Sequence, residues 1–171
     1  MSFPRKRESR VKCKNHGFPI KLGMTKSNIM KIGFDCIGVG CGALIINDRN
    51  EVLLLKRTSK TRNMAGFWMK PGGGVEFGEM VEDAIKREIK EELDIDIEII
   101  KFLSFTEGIL KDERQHWISL NYLAKIIGGE IKNLEPEKHE EVKWFGLNNL
   151  PEKLAQNTID SINEYLKLNK N

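Results

Sequence analysis

Glu88, Glu91 and Glu92 stand at i, i+3 and i+4 in the stretch "REIKEELDI", Arg87 to Ile95. On a helix that spacing puts three carboxylates on one side, where like charges repel by about 0.2–0.5 kcal/mol per pair. With roughly 100° per residue, Val81, Ala84, Ile85, Ile89 and Leu93 mark an apolar side, and Asp83, Lys86, Arg87, Lys90 and Asp94 gather opposite it. Glu88 and Glu92 fall on the apolar half, with Glu91 at its edge. Burying an unpaired carboxylate is costly unless something compensates it. Protonation, a cationic side chain or a divalent metal would each do so. Clustered hard oxygen donors suit Mg²⁺ or Mn²⁺, often together with substrate phosphates. A Glu/Lys-rich helix whose acids merely border the core would give the same wheel.

The segment upstream narrows the choice. "PGGGVEFGE" places three glycines ahead of the helix, where positive φ and close backbone approach to a ligand are easiest for glycine. From Gly73, five residues lead to Glu79 and seven more to Arg87-Glu88-Ile89-Lys90-Glu91-Glu92, with Ile95 two positions beyond Leu93. This pattern resembles the Nudix box of the MutT/Nudix hydrolase family, G-x5-E-x7-R-E-U-x-E-E-x-G-U with U aliphatic. It departs at one position, where Asp94 stands for the glycine that ends the helix. Asp tolerates the left-handed conformation at modest cost, so the helix is still expected to stop there.

The resemblance extends over about residues 32–152 and implies hydrolysis of a pyrophosphate bond in a compound built as a nucleoside diphosphate linked to another group. It implies Glu88, Glu91 and Glu92 as ligands of Mg²⁺ (or Mn²⁺), and Glu79 and Arg87 as braces of the loop–helix–loop. Gly73 would allow the turn that closes the site, and Gly74 beside it would face substrate. Arg57, at a strand end, corresponds to a phosphate-binding Arg in relatives, although an exposed strand end reads equally well. Glu135, Glu137 and Glu140 lie in a loop that adds a further acid in several relatives, or is simply solvated. His116 and His139 are expected to fill strand or loop positions, and Phe67 and Trp68 to pack. Lys70 occupies a place where relatives mostly carry an aliphatic residue. "VEFGE", "HWISLNYLA" and "EPEKHEEVKWFGLNNLP" look most like the branch that converts nucleoside triphosphates (dCTP, CTP or oxidised dGTP) to monophosphate and pyrophosphate. ADP-ribose or another sugar nucleotide is the alternative substrate, and a non-enzymatic nucleotide sensor the alternative class.

These residues need a scaffold. "CIGVGCGALIIND" reads as a buried strand and "EVLLLKR" as its hairpin partner across Asp48-Arg49-Asn50. Residues 79–93 carry strong helix formers without Gly or Pro. "IDIEIIKFLSF" and "HWISLNYLAKII" follow as strands, then a short strand in "EPEKHEEVKWFGL" and a helix over Lys153–Leu168. That order predicts an α/β domain, and the resemblance a Nudix-type α/β/α sandwich with a mixed central sheet.

The formal net charge is +3, yet nine of the 28 Lys/Arg and one of the 25 Asp/Glu lie in residues 1–31. The rest of the chain is therefore acidic, which argues against a nucleic-acid binder. No apolar run reaches the roughly 20 residues that span a bilayer, and Cys13, Cys36 and Cys41 show no CxxC spacing. The expectation is a cytoplasmic protein with a nucleotide substrate and no membrane partner, with a homodimer as an open alternative to a monomer. Residues 1–30 read as a basic, disordered N-terminal extension and 31–171 as the hydrolase domain. A chain starting at Met30 is expected to fold and keep its activity. Loss of cooperative melting in that chain would refute the boundary.

Overall fold

The structure is a computed structural model and describes residues 31–61 and 63–169. The expectation for residues 1–30 lies outside these. Its elements are β1 (Gly38–Ile45), β2 (Glu51–Arg57), β3 (Trp68–Met69), β4 (Gly72–Gly74), α1 (Val81–Leu93), β5 (Ile95–Leu110), a 3₁₀ turn (Lys111–Glu113), β6 (Gln115–Gly129), β7 (His139–Gly146) and α2 (Gln156–Leu168).

The expected β1–β2 hairpin does not form. β1 lies in a mixed four-stranded sheet of order β4-β1-β6-β5, where it runs parallel to β6 and antiparallel to β4. β2 is the centre of a separate antiparallel sheet of order β3-β2-β7. Among the described residues, the Ile46–Val52 bridge alone joins the end of β1 to β2. The reason is visible in the sequence: Ala43-Leu44-Ile45 and Val52 to Leu55 are apolar at every position, and each residue is fully buried. Strands apolar on both faces need cover on both faces, and each acquires its own sheet partners.

The helices supply that cover. On one side Ala84, Ile85, Ile89 and Leu93 of α1 pack with Cys41, Ala43, Ile45, Leu53, Leu55, Ile95 and Ile97. On the other, Ile162 of α2 packs with Leu44, Val52, Leu54 and Trp68, whose indole meets Phe145 edge-on. The result is an α/β/α sandwich, as the sequence predicts. Both helices begin a little later than expected, at Val81 and Gln156.

The exit of α1 fixes the course of the chain on both sides of the β5–β6 hairpin. Asp94 adopts the left-handed conformation (φ 57°, ψ 25°), and its N–H returns to the Lys90 carbonyl. The Glu92 and Leu93 carbonyls accept N–H groups from Leu134 and Lys132 at 2.9 and 3.0 Å. The segment after β6 is thereby clasped to the end of the helix, and otherwise orphaned carbonyls are satisfied. Asp94→Gly is expected to leave stability nearly unchanged, because relief of the left-handed penalty offsets the loss of exposed ion pairs to Lys90 and Lys132. Asp94→Val should cost about 1–2 kcal/mol in urea unfolding, and equal stability of the two variants would contradict this account of the helix exit.

Candidate active site

The glycine-rich loop and α1 are knitted together by one guanidinium. Arg87 donates to both oxygens of Glu79 (2.8 and 3.2 Å), to the Gly74 carbonyl (3.0 Å), to Glu88 (2.8 Å) and, more distantly, to Glu91 (3.4 Å). Glu79 in turn accepts the Glu76 N–H at 2.7 Å. These bonds hold Glu79 below its usual carboxylate range, and the same partners raise Arg87. The helical wheel puts Arg87 on the solvent side; its length lets it fold back over the loop instead.

The glycines divide their tasks differently from expectation. Gly72, not Gly73, carries the left-handed φ of 143°. Gly73 is needed for clearance, because a side chain there would run into the Glu88 carboxylate. A side chain on Gly42 would likewise meet the Pro71 carbonyl at 2.6 Å, so β1 and the loop approach backbone to backbone. Gly74 offers its carbonyl to Arg87 and has open space where a side chain would stand.

Glu92 is 5% exposed, the most buried of the three helix acids. It accepts the Gly72 N–H at 3.0 Å. Burial nevertheless pushes its pKa up to about 8, with Gly72 opposing and the neighbouring Glu88 and Glu135 adding to the rise. Glu135 and His139 come to the same place from the clasped segment and the start of β7. One ligand atom from each of Glu92, Glu135 and His139 lies within 4.8 Å of the others. His139 is buried, with Nε2 3.9 Å from Glu92 and Nδ1 lacking a hydrogen-bond partner among the described residues. Burial first, then the charge of Arg57, push its pKa down to about 4, so the ring is neutral and free to ligate. Glu91, by contrast, has a side chain that is 59% exposed and lies outside this trio.

This donor set fits a divalent cation: Glu92, buried without a counter-charge, and half-buried Glu135, which pairs with Lys138 at 2.6 Å, lie next to a neutral imidazole with an orphaned nitrogen. Glu92, Glu135 and His139 could hold one, with Glu88 beside Gly73 and the loop. From residue type alone Glu135 reads as solvated and His139 as packing. The spacing Glu135-x3-His139 gives no sign that the clasp on α1 brings both to Glu92. Arg57 ends β2 as expected, with Nε donating to the Asn63 carbonyl at 3.0 Å, and the Glu92 charge acts on it. Glu140 pairs with Lys56, and Glu137 offers its carbonyl to Thr58, so neither joins the trio. Phe67 is half-buried, Trp68 packs in the core, and His116 meets Glu107 at 2.8 Å.

A second polar region lies on the α2 side of the sheet. Ser104 and Thr106 of β5 stand beside Ser119 and Asn121 of β6, beneath Asn157 and Asp160 of α2. Inward-facing polar residues at alternate positions of two adjacent strands are the signal in the sequence that could have found it.

The raised pKa of Glu92 has a definite sign. Below the unfolded value near 4.5 both states are protonated, and nothing is lost. Between 4.5 and about 8 only the unfolded chain ionises freely, so metal-free stability falls as pH rises. Glu92→Gln removes this loss while sharing every other titration, including that of His139. In EDTA the stability gap between variant and wild type is expected to widen across that window, and added Mg²⁺ to narrow it by stabilising the wild type. A gap independent of pH would show that Glu92 is not held neutral.

The comparisons with known proteins agree with this geometry. The NUDIX domain model matches residues 37–165. The chain is 40% identical to an ADP-ribose pyrophosphatase of Methanocaldococcus jannaschii over 72% of its own length and 70% of that protein. It is 29% identical to the mouse 8-oxo-dGDP phosphatase NUDT18 over 68% of its length, which spans 35% of that larger protein. The crystal structure of a MutT NUDIX hydrolase from Burkholderia pseudomallei superposes with a TM-score of 0.70 at 40% identity, covering 75% of this chain and 97% of that one. Loop, helix, fold and relatives converge: this chain belongs to the Nudix family and is a Nudix hydrolase.

Proposed function

We propose that the chain hydrolyses nucleoside triphosphates of the dCTP, CTP or oxidised dGTP type, releasing the nucleoside monophosphate and pyrophosphate. The observation that carries this reading is the polar layer under α2. It lies one strand away from the glycine-rich loop, across β1, and its polar surface suits a single heterocycle, while the acids on the other side of the sheet suit phosphates through a cation. A second reading is favoured by a different finding: the 40% identity to a protein named ADP-ribose pyrophosphatase supports a nucleoside diphosphate sugar as substrate.

Mg²⁺ or Mn²⁺, when bound, would neutralise phosphate charge and acidify a water. In this reading Glu88, Glu91 and Glu92 bind the cation, joined by Glu135 and His139. Arg87 and Glu79 keep the loop fixed against the helix so that these ligands need no rearrangement. Gly73 and Gly74 let the substrate chain pass close to the backbone, and Arg57, next to Glu92 in charge, meets a phosphate.

With Mg²⁺, product analysis is expected to show monophosphate and pyrophosphate from a triphosphate, rather than diphosphate and phosphate. Turnover confined to ADP-ribose or sugar nucleotides would select the second reading. Glu92→Gln and Glu88→Gln should each lower turnover by about 10²–10³-fold, whereas Lys90→Gln on the exposed side should change it little. Near-full metal-dependent activity in both Glu variants would remove the acids from the reaction.

A further inference from the structure

Gly38, Gly40 and Gly42 alternate along β1 and present bare backbone to the α2 side of the sheet. Same-face positions on a strand are about 6.6 Å apart. Two of the three are covered. A side chain on Gly38 would collide with the Trp117 indole, and one on Gly42 would lie 3.4 Å from Cε of Lys70. Gly40 between them is not: a side chain there would meet only the Gly73 and Ile118 carbonyls, at 3.5 and 4.0 Å. A slot one residue wide is left, with Trp117 at one end, Lys70 at the other, and the glycine-rich loop at its edge through Gly73.

The polar groups around the slot satisfy one another. Asn121 donates to Ser104 and Thr106 at 3.1 Å each, Thr106 to Asp160 at 2.6 Å, Ser119 to Asn121 at 3.3 Å, and Asn157 to Ser119 at 3.2 Å. Lys70 is the exception. Its backbone N–H meets Thr158, and the residue is only 3% exposed, but its amino group has no hydrogen bond or ion pair among the described residues. The end of the stem lies over Gly42 of β1, and the charge of Asp160 acts on the amino group. Burial pushes its pKa down to about 7, with Cys41 and Asp160 offsetting only part of that effect. Charged or neutral, the amino group keeps N–H bonds to donate.

We infer that Lys70 is a specificity-determining residue, donating a hydrogen bond to a carbonyl oxygen on the base of a nucleotide seated over Gly40. A donor at the end of a largely buried side chain that finds its partner only in the ligand discriminates strongly, because a ligand lacking the acceptor leaves it unpaired. Adenine is the common base with no carbonyl, so the residue works against adenine nucleotides and in favour of guanine, its oxidised form, cytosine and uracil. This rests on the nucleoside triphosphate reading for the reaction, but makes a claim about binding that does not depend on turnover.

The test uses inosine and adenosine monophosphates, which differ at C6 in a carbonyl against an amino group. Calorimetry with the full chain and Mg²⁺ is expected to show inosine monophosphate binding about tenfold more tightly than adenosine monophosphate. Lys70→Met, checked by its melting curve, should weaken inosine monophosphate to the level of adenosine monophosphate. A wild type that binds both equally, or prefers adenosine monophosphate, overturns the inference whether or not Lys70→Met folds. So does a folded Lys70→Met that keeps the preference. A wild type with the preference but no hydrolysis of any triphosphate would refute the reaction while leaving this role intact.

Discussion

The constraint on which the site depends is a carboxylate in the wrong solvent. Glu92 sits in the last turn of α1, where the helix dipole disfavours negative charge, and among residues that exclude water. Among the described residues one backbone N–H, from Gly72, is the hydrogen bond offered to it, and burial outweighs that bond. The surrounding structure is built to tolerate this. Gly72, whose unusual φ comes where the loop packs tightly on β1, donates its N–H to the acid, and Gly73 stays bare so that Glu88 can lie close by. Arg87 satisfies Glu79 and Glu88 but leaves Glu92 uncompensated. Such an unbalanced charge favours binding of a cation more than it favours the apo fold.

The two faces of the mixed sheet divide the chemistry. Cys41 points to the α1 side and belongs to the core that carries the acids, while Gly40 and Gly42 open the α2 side to polar groups. β1 can serve both because side chains alternate across a strand. The strand Gly72–Gly74 runs antiparallel beside Gly40–Gly42 of β1, with Gly73 against Glu88 on one face and its carbonyl near Gly40.

Much of this is legible in the chain. The spacing from Gly73 to Ile95 carries the loop and helix almost whole, and the wheel correctly places Glu92 on the buried half. Two kinds of feature are not. The pairing of β1 and β2 is misread, because continuous apolar runs announce burial on both faces but not the partner that provides it. Glu135 is offered by the resemblance only as one of three loop acids and His139 is not singled out, because their approach to Glu92 is set by two backbone bonds to the end of α1, and main-chain contacts leave no trace in residue type. Arg87 shows the same limit in another form. A wheel gives the direction of a Cβ, and a long side chain need not follow it.

The clasp of Lys132 and Leu134 on the end of α1 has a topological consequence. Glu92 precedes the whole β5–β6 hairpin and His139 comes after it, so a cation shared between them would close a long loop of chain in the manner of a crosslink. Loop-closure entropy grows only slowly with length, and here most of it is already spent by the hairpin and the clasp. The ion therefore meets ligands whose ends have been brought together in advance. Lengthening the hairpin at its far tip would leave that closure untouched, whereas inserting residues between Gly129 and Lys132 would loosen it at once. The tip is free to vary in length and the clasp is not.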